Sequence, residues 1–213
     1  ELEMSADDLD RHLENLYPDQ LFLKPRFWGE PQLGSCGLPV VGIGWFEAVA
    51  YCRWLAYNSG CATGLPCEAA WESAARRVDG ETIHGTESDL IRKMNSRESH
   101  IRCPSPPGVF LGGDGDSGAY DMLGNVHEWT STIDAPNYHY PFLLGDGRDE
   151  LVRDIYVHRI VRGGSYAYDA VDARPPCRFS VHSGYYSRTL GFRTCASLQN
   201  LEISVKTPRS DGA

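Results

Sequence analysis

The chain has 213 residues, seven of them cysteine, and a formal net charge of -9 at pH 7. A domain of this length buries roughly 70% of its unfolded surface and needs no disulfide scaffold. The acidic balance argues against nucleic acid as a partner, and no apolar run is long enough for membrane insertion. The cysteines lack the Cys-x-x-Cys spacing typical of zinc sites, although Cys61 and Cys67 could pair.

The first 35 residues predict a helix and an irregular connection. Ser5 can cap a helix whose apolar face carries Leu9 and Leu13. The stretch from Pro18 onward is rich in proline, glycine and aromatic residues, which favours a connection laid over the core. The chain begins with Glu1 rather than methionine and shows no signal-peptide segment. We therefore expect a soluble protein that is a fragment or a processed form.

Two amphipathic helices are predicted next. Apolar residues recur at helical spacing from Trp45 to Ala56, and Gly60 ends this helix. A second helix is expected from about Glu68 to Arg77, with Arg77 as a cation suited to the helix C-terminus.

Three strands and one long loop follow. Strands are predicted at residues 126–130, 159–162 and 190–193, and the second strand runs into a Gly-Gly pair. Residues 166–189 between the last two strands are predicted to be an irregular loop that mixes aromatic rings, arginines and small residues. This chemistry is typical of a binding surface, and an ordinary surface loop is the alternative.

Four segments in order carry a resemblance to a known family. They are residues 39–55, Leu65-Pro-Cys-Glu-Ala-Ala-Trp-Glu72, Gly124-Asn-Val-His-Glu-Trp-Thr130, and Arg162-Gly-Gly-Ser-Tyr166 with Gly191-Phe-Arg193. Together they resemble the formylglycine-generating enzyme (sulfatase-modifying factor) family, whose domain is a variant of the C-type lectin fold. The resemblance implies an α+β fold in which two helices pack on short antiparallel strands with much irregular loop.

The resemblance also implies how the chain is divided. Residues 1–213 form a single domain, with a family-matching core at 36–197 that contains a variable loop at 166–190. By this resemblance the first strand would fall at Leu2 to Ser5 within the N-terminal part, residues 1–35, and we expect the family segment usually found before that strand to be missing. Residues 198–213 form a polar tail with a candidate edge strand near Ile203.

One departure from the family pattern falls at the second helix. The threonine and glutamate of the family's capping box are replaced by Cys67 and Ala70. Loss of both capping groups should cost about 1 kcal/mol of helix stability.

A second departure concerns catalysis. In the copper-dependent members of the family, two cysteines after the Arg-Gly-Gly-Ser motif bind the metal, and their positions fall near Tyr168 and Ala173 here. Cys177 is a lone thiol, and one thiolate cannot supply the paired soft ligands that Cu(I) prefers. The related sulfoxide synthases use histidines drawn partly from an added N-terminal domain that this sequence does not show. We therefore expect no copper, no iron and no enzyme activity.

A further branch with this resemblance comprises the variable proteins of diversity-generating retroelements. In these, adenine-specific mutagenesis rewrites a loop between an Arg-Gly-Gly-Ser strand and a closing Gly-Phe-Arg. Mutagenesis of AAC-type codons cannot yield Lys, Glu, Gln, Met or Trp, and none of these occurs in residues 166–193. The pattern indicates a diversified surface that binds a macromolecule, with a protein favoured. The alternatives are a fixed sensor or adaptor domain of a larger protein, and a copper- or iron-dependent oxidase.

Twelve loop residues are predicted to contact the ligand. They are Tyr168, Asp169, Val171, Asp172, Arg174, Phe179, Ser180, His182, Ser183, Tyr185, Tyr186 and Ser187. The cellular location stays open between a cell-surface or phage-associated display protein and a cytoplasmic fragment.

The resemblance further implies a structural calcium ion. In family enzymes the segment that matches residues 121–128 holds one calcium, which would give the Asp121 and Glu128 carboxylates and the Gly124 and Val126 carbonyls. The alternative is that both carboxylates only accept hydrogen bonds from backbone amides in the turn. His127 lies in the same motif, but a lone histidine is more often packed or hydrogen-bonded than catalytic.

Overall fold

The computed structural model describes residues 24–76, 91–110, 117–135 and 145–196. The helix expected after Ser5, the strand at residues 2–5, the tail strand and Arg77 lie outside these ranges. The helices that lie wholly within these ranges are α1 (Pro31–Gly34), α2 (Trp45–Ser59) and α3 (Glu68–Ala75), with 3-10 turns at Arg97–Ser99 and Ala170–Ala173. In the described part of the chain, no helix has the length and apolar character needed to span a membrane.

Helix α2 matches its prediction closely because both ends carry sequence signals. At its start, the Glu47 carboxylate accepts a hydrogen bond from the Gly44 N–H at 2.5 Å. At its end, Gly60 adopts a left-handed conformation with φ of 70°, and its N–H donates to the Ala56 carbonyl. A residue without a Cβ adopts this conformation at little cost, so the helix ends there.

Helix α3 is capped although the capping hydroxyl is missing. The Cys67 sulfur accepts a hydrogen bond from the Ala70 N–H at 3.4 Å, and so takes the place of the expected threonine oxygen. Sulfur is a weak acceptor, which fits a weakened cap rather than a lost one. All seven cysteines are free thiols, so the pairing of Cys61 with Cys67 is not formed.

Six strands make two sheets in the described residues. Strands β1 (Thr63–Gly64) and β6 (Cys195–Ala196) form an antiparallel pair. The larger sheet has the order β4-β3-β2-β5. Its strands are β2 (His127–Ile133), β3 (His158–Arg162), β4 (Phe179–His182) and β5 (Leu190–Phe192). The β2–β3 and β3–β4 pairs are antiparallel, whereas β2 and β5 run parallel, so the expected antiparallel arrangement holds for all but this pair.

The main core lies between α2 and the larger sheet. Trp45 on α2 and Trp129 on β2 are both almost fully buried. Each indole N–H finds a backbone acceptor: Trp45 donates to the Thr130 carbonyl at 2.8 Å, and Trp129 donates to the Ile43 carbonyl at 3.2 Å. These two bonds fix the helix against the sheet, because buried indole N–H groups need a partner.

The predicted loop at residues 166–189 is only partly irregular, which corrects the prediction. Its first part forms the 3-10 turn Ala170–Ala173, and the two alanines pack into a second apolar cluster with Trp71 and Met122. Its middle part forms β4, which pairs with β3 and places Ser180 opposite Ile160. The base of the loop is therefore part of the folded core.

Gly164 allows this packing. Its φ is 69°, and a Cβ added to it would lie 2.7 Å from the Ala173 Cα atom. Both the left-handed conformation and the close approach exclude a side chain here.

Replacing Gly164 by alanine should therefore destabilise the protein strongly. We expect Gly164→Ala to lower the free energy of unfolding in urea by about 3 kcal/mol, from overpacking and backbone strain together. Gly60→Ala is the matched control, since its φ is +70° but nothing lies within 4 Å of the added Cβ. The control should lose only about 1 kcal/mol. Equal losses in the two variants would contradict the packing argument.

Candidate functional site

A buried arginine lies beneath the predicted binding loop. Arg162 ends β3, and its side chain is fully buried. It donates to the Glu72 carboxylate of α3 and to the Cys177 carbonyl in the loop. Its guanidinium also lies over the Trp71 ring at 5.3 Å. One cation therefore joins β3, α3 and the loop.

A second arginine fastens the loop itself. Arg178 donates to both oxygens of Glu68 at 2.6 and 2.7 Å, a bidentate pair. Glu68 is only 1% exposed, and the Arg162 Nε lies 3.6 Å from the same carboxylate. We call Glu68, Glu72, Arg162 and Arg178 the anchor network. Because buried carboxylates need cationic partners, the network fixes where the chain enters β4.

The far end of the loop is held in a similar way. Arg193 follows β5 and donates to both oxygens of Glu128, at 2.5 and 2.6 Å. Glu128 also accepts the Trp71 indole N–H at 2.6 Å. Burial works to lower the pKa of Arg193, but the charge and hydrogen bonds of Glu128 outweigh it and raise that pKa. The Arg-Gly-Gly-Ser and Gly-Phe-Arg motifs are thus joined to α3 through Trp71.

The predicted contact residues divide by exposure. Six are exposed: Tyr168, Val171, Arg174, His182, Tyr185 and Tyr186. Five are intermediate: Asp169, Asp172, Phe179, Ser180 and Ser187. Ser183 is fully buried, and its hydroxyl donates to the Val157 carbonyl at 2.8 Å. Ser183 therefore supports the loop from below and offers no contact surface.

Some of the predicted contact residues also touch the scaffold. The Arg26 guanidinium lies over the Tyr186 ring at 3.8 Å, and Asp169 pairs with Arg97 at 2.8 Å. The 3-10 turn presents Val171. His182 ends β4, and its ring lies 5.9 Å from the ring of Tyr185, which follows the next turn. Aromatic rings offer a large contact area and lose little conformational entropy on binding, so they suit recognition of another macromolecule.

His127 lies under the loop in an aromatic setting. Its ring meets the rings of Tyr168 at 4.9 Å and Phe179 at 5.0 Å, each edge to face. Its Nδ1 atom is buried and has no hydrogen-bond partner among the described residues. Burial lowers the pKa of His127 from the usual 6.5 to about 4. The imidazole is thus neutral at pH 7 and acts as a packed side chain, as expected for a lone histidine.

The positions of the family's copper-binding cysteines cannot hold a thiolate pair here. The Tyr168 ring packs against His127, and Ala173 is buried against Gly164. Cys177 donates its thiol to the Val171 carbonyl at 3.2 Å. Across the described ranges, no group of three or more His, Cys, Asp or Glu side chains is placed to hold a metal ion.

The two carboxylates of the predicted calcium site accept hydrogen bonds from the protein. Both Glu128 oxygens accept from Arg193, and the Asp121 Oδ2 atom accepts from the Gly108 N–H at 2.9 Å. The Arg193 Nη2 atom also donates to the Tyr120 carbonyl at 3.0 Å. A guanidinium therefore supplies the positive charge that Glu128 needs. The calcium ion itself stays a prediction.

Two groups of residues went unnoticed in the sequence. Glu68 and Arg178 stand 110 positions apart, so their pairing has no local signal. Helix α2 exposes Tyr51, Trp54 and Tyr57, whose spacing of three was visible in the sequence. Tyr51 also lines a groove of about 750 Å³, together with Trp28 and Phe192. The protein therefore has an exposed aromatic surface away from the loop.

The bidentate pair predicts unequal roles for two loop arginines. Arg178→Ala leaves the buried Glu68 carboxylate with only the more distant Arg162, so it should lower the free energy of unfolding by about 2 kcal/mol. We expect less than for a wholly buried pair, since the Arg178 side chain is 40% exposed. Arg174→Ala, in the same loop but outside the anchor network, should change stability by less than about 0.5 kcal/mol. Urea unfolding of both variants checks this, and a larger effect at Arg174 would refute it.

The buried imidazole predicts a loss of stability in acid. Below pH 6.5 the unfolded chain binds a proton at His127, whereas the folded protein binds it only near pH 4. The contribution of His127 to the free energy of unfolding is therefore complete above pH 6.5. It is lost as the pH falls from 6.5 to about 4, and the total loss is about 3 kcal/mol. His127→Phe should reduce the difference between unfolding free energies measured at pH 7 and pH 4.5. An unchanged difference would show that His127 does not titrate in this way.

Comparison with known proteins identifies the family to which the chain is similar. Residues 29–198 match the sulfatase-modifying factor enzyme 1-like domain. Hercynine oxygenase of Mycobacterium tuberculosis is 31% identical over 155 residues, which cover 66% of this chain and 32% of the oxygenase. Inactive C-alpha-formylglycine-generating enzyme 2 of Mus musculus is 30% identical over 213 residues, which cover 88% of this chain and 61% of that protein. The chain thus spans less than two thirds of either relative.

The solved structures agree with the predicted fold. Treponema denticola variable protein 1 superposes with a TM-score of 0.62 at 21% identity, covering 80% of this chain and 76% of that one. The expected α+β architecture and the resemblance to a variable protein of this fold are therefore confirmed. By its motifs, its matched residues and its architecture, the chain belongs to the family of sulfatase-modifying factor enzyme 1-like domains.

Proposed function

We propose that the chain is a binding domain that presents the segment at residues 166–190 to a macromolecular ligand, with a protein as the favoured partner. The observation that carries this proposal is the separation of the segment into two parts. Arg178, Ser183 and the side chains of Ala170 and Ala173 are held by the scaffold. Val171, Arg174, His182 and Tyr185 are exposed. Exposed side chains on a fixed base can change without unfolding the protein.

The composition of the segment supports a diversified surface. Residues 166–193 contain none of the five residue types that adenine mutagenesis of AAC-type codons cannot produce, although the chain uses Glu and Trp freely elsewhere. Tyrosine and arginine, which such mutagenesis does produce, are the types enriched at protein-binding hot spots. A variable protein with this fold, from Treponema denticola, is consistent with the proposal.

A metal-dependent oxidase is the second candidate, because a relative at 31% identity is an oxygenase. The side chains at Tyr168 and Ala173 do not favour it, since neither can bind Cu(I). Oxygen consumption with a cysteine-containing peptide, after loading with copper or iron, separates the two functions. We expect no turnover with either metal. Turnover that follows metal loading would replace the binding proposal with an enzyme.

Sequencing of the encoding gene across a population of source cells tests the binding proposal directly. We expect substitutions at exposed positions such as Val171, Arg174 and Tyr185, together with a near-copy of codons 166–193 in adjacent DNA. Arg178 and Ser183 should stay constant, because substitution would leave Glu68 without its close partner or remove a buried hydrogen bond. Arg174 and Arg178 form an internal control, as two arginines four positions apart. An invariant segment without a nearby copy would overturn diversification and leave a fixed binding domain.

A further inference from the structure

Two exposed histidines face each other across the edge of the larger sheet. His158 begins β3, His182 ends β4, and the two are direct antiparallel partners. The hydrogen bond from the Ser183 N–H to the Val157 carbonyl, at 2.8 Å, flanks the pair. This bond makes the histidines a non-hydrogen-bonded pair, the type in which side chains of adjacent strands come closest. Their ring centroids are 6.4 Å apart.

One ring is already oriented. The His158 Nδ1 atom lies 3.3 Å from the Ser180 hydroxyl oxygen. In the tautomer with a proton on Nδ1, this nitrogen donates to the Ser180 hydroxyl, and the lone pair of Nε2 remains available to bind a metal ion. Histidines that bind metals commonly donate their other ring nitrogen in this manner, because the bond fixes the ring and its tautomer. On the other side, the His182 ring packs against Tyr185 at 5.9 Å.

We propose that His158 and His182 form a surface site for a divalent transition-metal ion of the Ni²⁺, Cu²⁺ or Zn²⁺ class. Imidazole nitrogens suit these ions. Two rings that share one ion at a metal–nitrogen distance of about 2.1 Å have centroids about 5 Å apart, whether the geometry is tetrahedral, as for Zn²⁺, or tetragonal, as for Ni²⁺ and Cu²⁺. The present separation is larger by about 1 Å, which exposed side chains can close through small torsional changes.

The site is open toward solvent. Within the described ranges, no third His, Cys, Asp or Glu side chain is placed to complete a metal cluster, so the remaining coordination positions belong to water or to a ligand. A carboxylate or imidazole of a bound protein fits these positions. The metal would then bridge the two proteins at the end of β4.

The two histidines differ in their place in the chain. His158 lies outside residues 166–193, whereas His182 lies inside that segment. Metal binding itself does not depend on the proposed function, because both residues are present in this chain. If the segment is diversified, however, only versions with histidine at position 182 keep the site.

Titration of the chelator-treated protein with Ni²⁺ tests the proposal. Nickel is chosen because zinc would also be drawn to the exposed thiols of Cys36 and Cys195. We expect one saturable site by calorimetry, and paramagnetic broadening of amide NMR signals centred on β3 and β4. His158→Ala and His182→Ala should each weaken binding on the order of 100-fold, since each removes one arm of a chelate. Ser180→Ala should weaken it by roughly tenfold.

Matched variants separate this site from other ligands. His100→Asn removes an exposed histidine outside the sheets, and Cys36→Ser with Cys195→Ser removes the exposed thiols. All three changes should leave Ni²⁺ binding intact. His182→Gln serves as a second variant if His182→Ala loses its folded spectrum. The proposal is overturned if the protein binds no Ni²⁺, if binding survives loss of either paired histidine, or if it disappears only with the cysteines.

Discussion

The ionic contact between Glu68 and Arg178 is the constraint on which the arrangement of the loop depends. Glu68 is buried in the first turn of α3, so its carboxylate must be paired inside the protein. Arg178 supplies the bidentate partner from the loop, and Arg162 supplies a second cation from β3. A buried ion pair adds little net stability against apolar packing, but it penalises every geometry that separates the charges. Such a contact specifies where the chain must turn into β4.

At the other end of the loop, a second buried carboxylate, that of Glu128, is also paired with an arginine. Trp71 packs under Arg162 and donates to Glu128, which in turn receives Arg193. Helix α3 therefore joins both motifs that bracket the loop. This arrangement explains how proteins of one fold can share these motifs while the side chains between the motifs serve different functions. At the positions where copper-dependent relatives carry cysteines, this chain has a packed tyrosine and a buried alanine.

Local signals in the sequence were sufficient for α2, α3 and the strands that carry motifs, because periodicity and glycine positions act over short distances. Strand β4 escaped prediction, since its four residues are stabilised by pairing with β3 rather than by a pattern of their own. The burial of Ser183 was missed for a related reason: a serine gives no apolar signal, and its partner is the distant Val157 carbonyl. The exposed residues of the candidate site were predicted from their chemistry, but their anchors depend on tertiary contacts.

The measurement that tests this account most directly is the stability of a chain with its exposed loop side chains removed together. Val171, Arg174, His182 and Tyr185 are replaced by serine in one variant, and its melting temperature is compared with those of the parent and of Arg178→Ala. We expect the fourfold variant to stay within about 3 °C of the parent and the single anchor variant to fall further. A fourfold variant that melts below Arg178→Ala would show that the exposed side chains hold the fold, and would contradict a binding surface carried on a separate base.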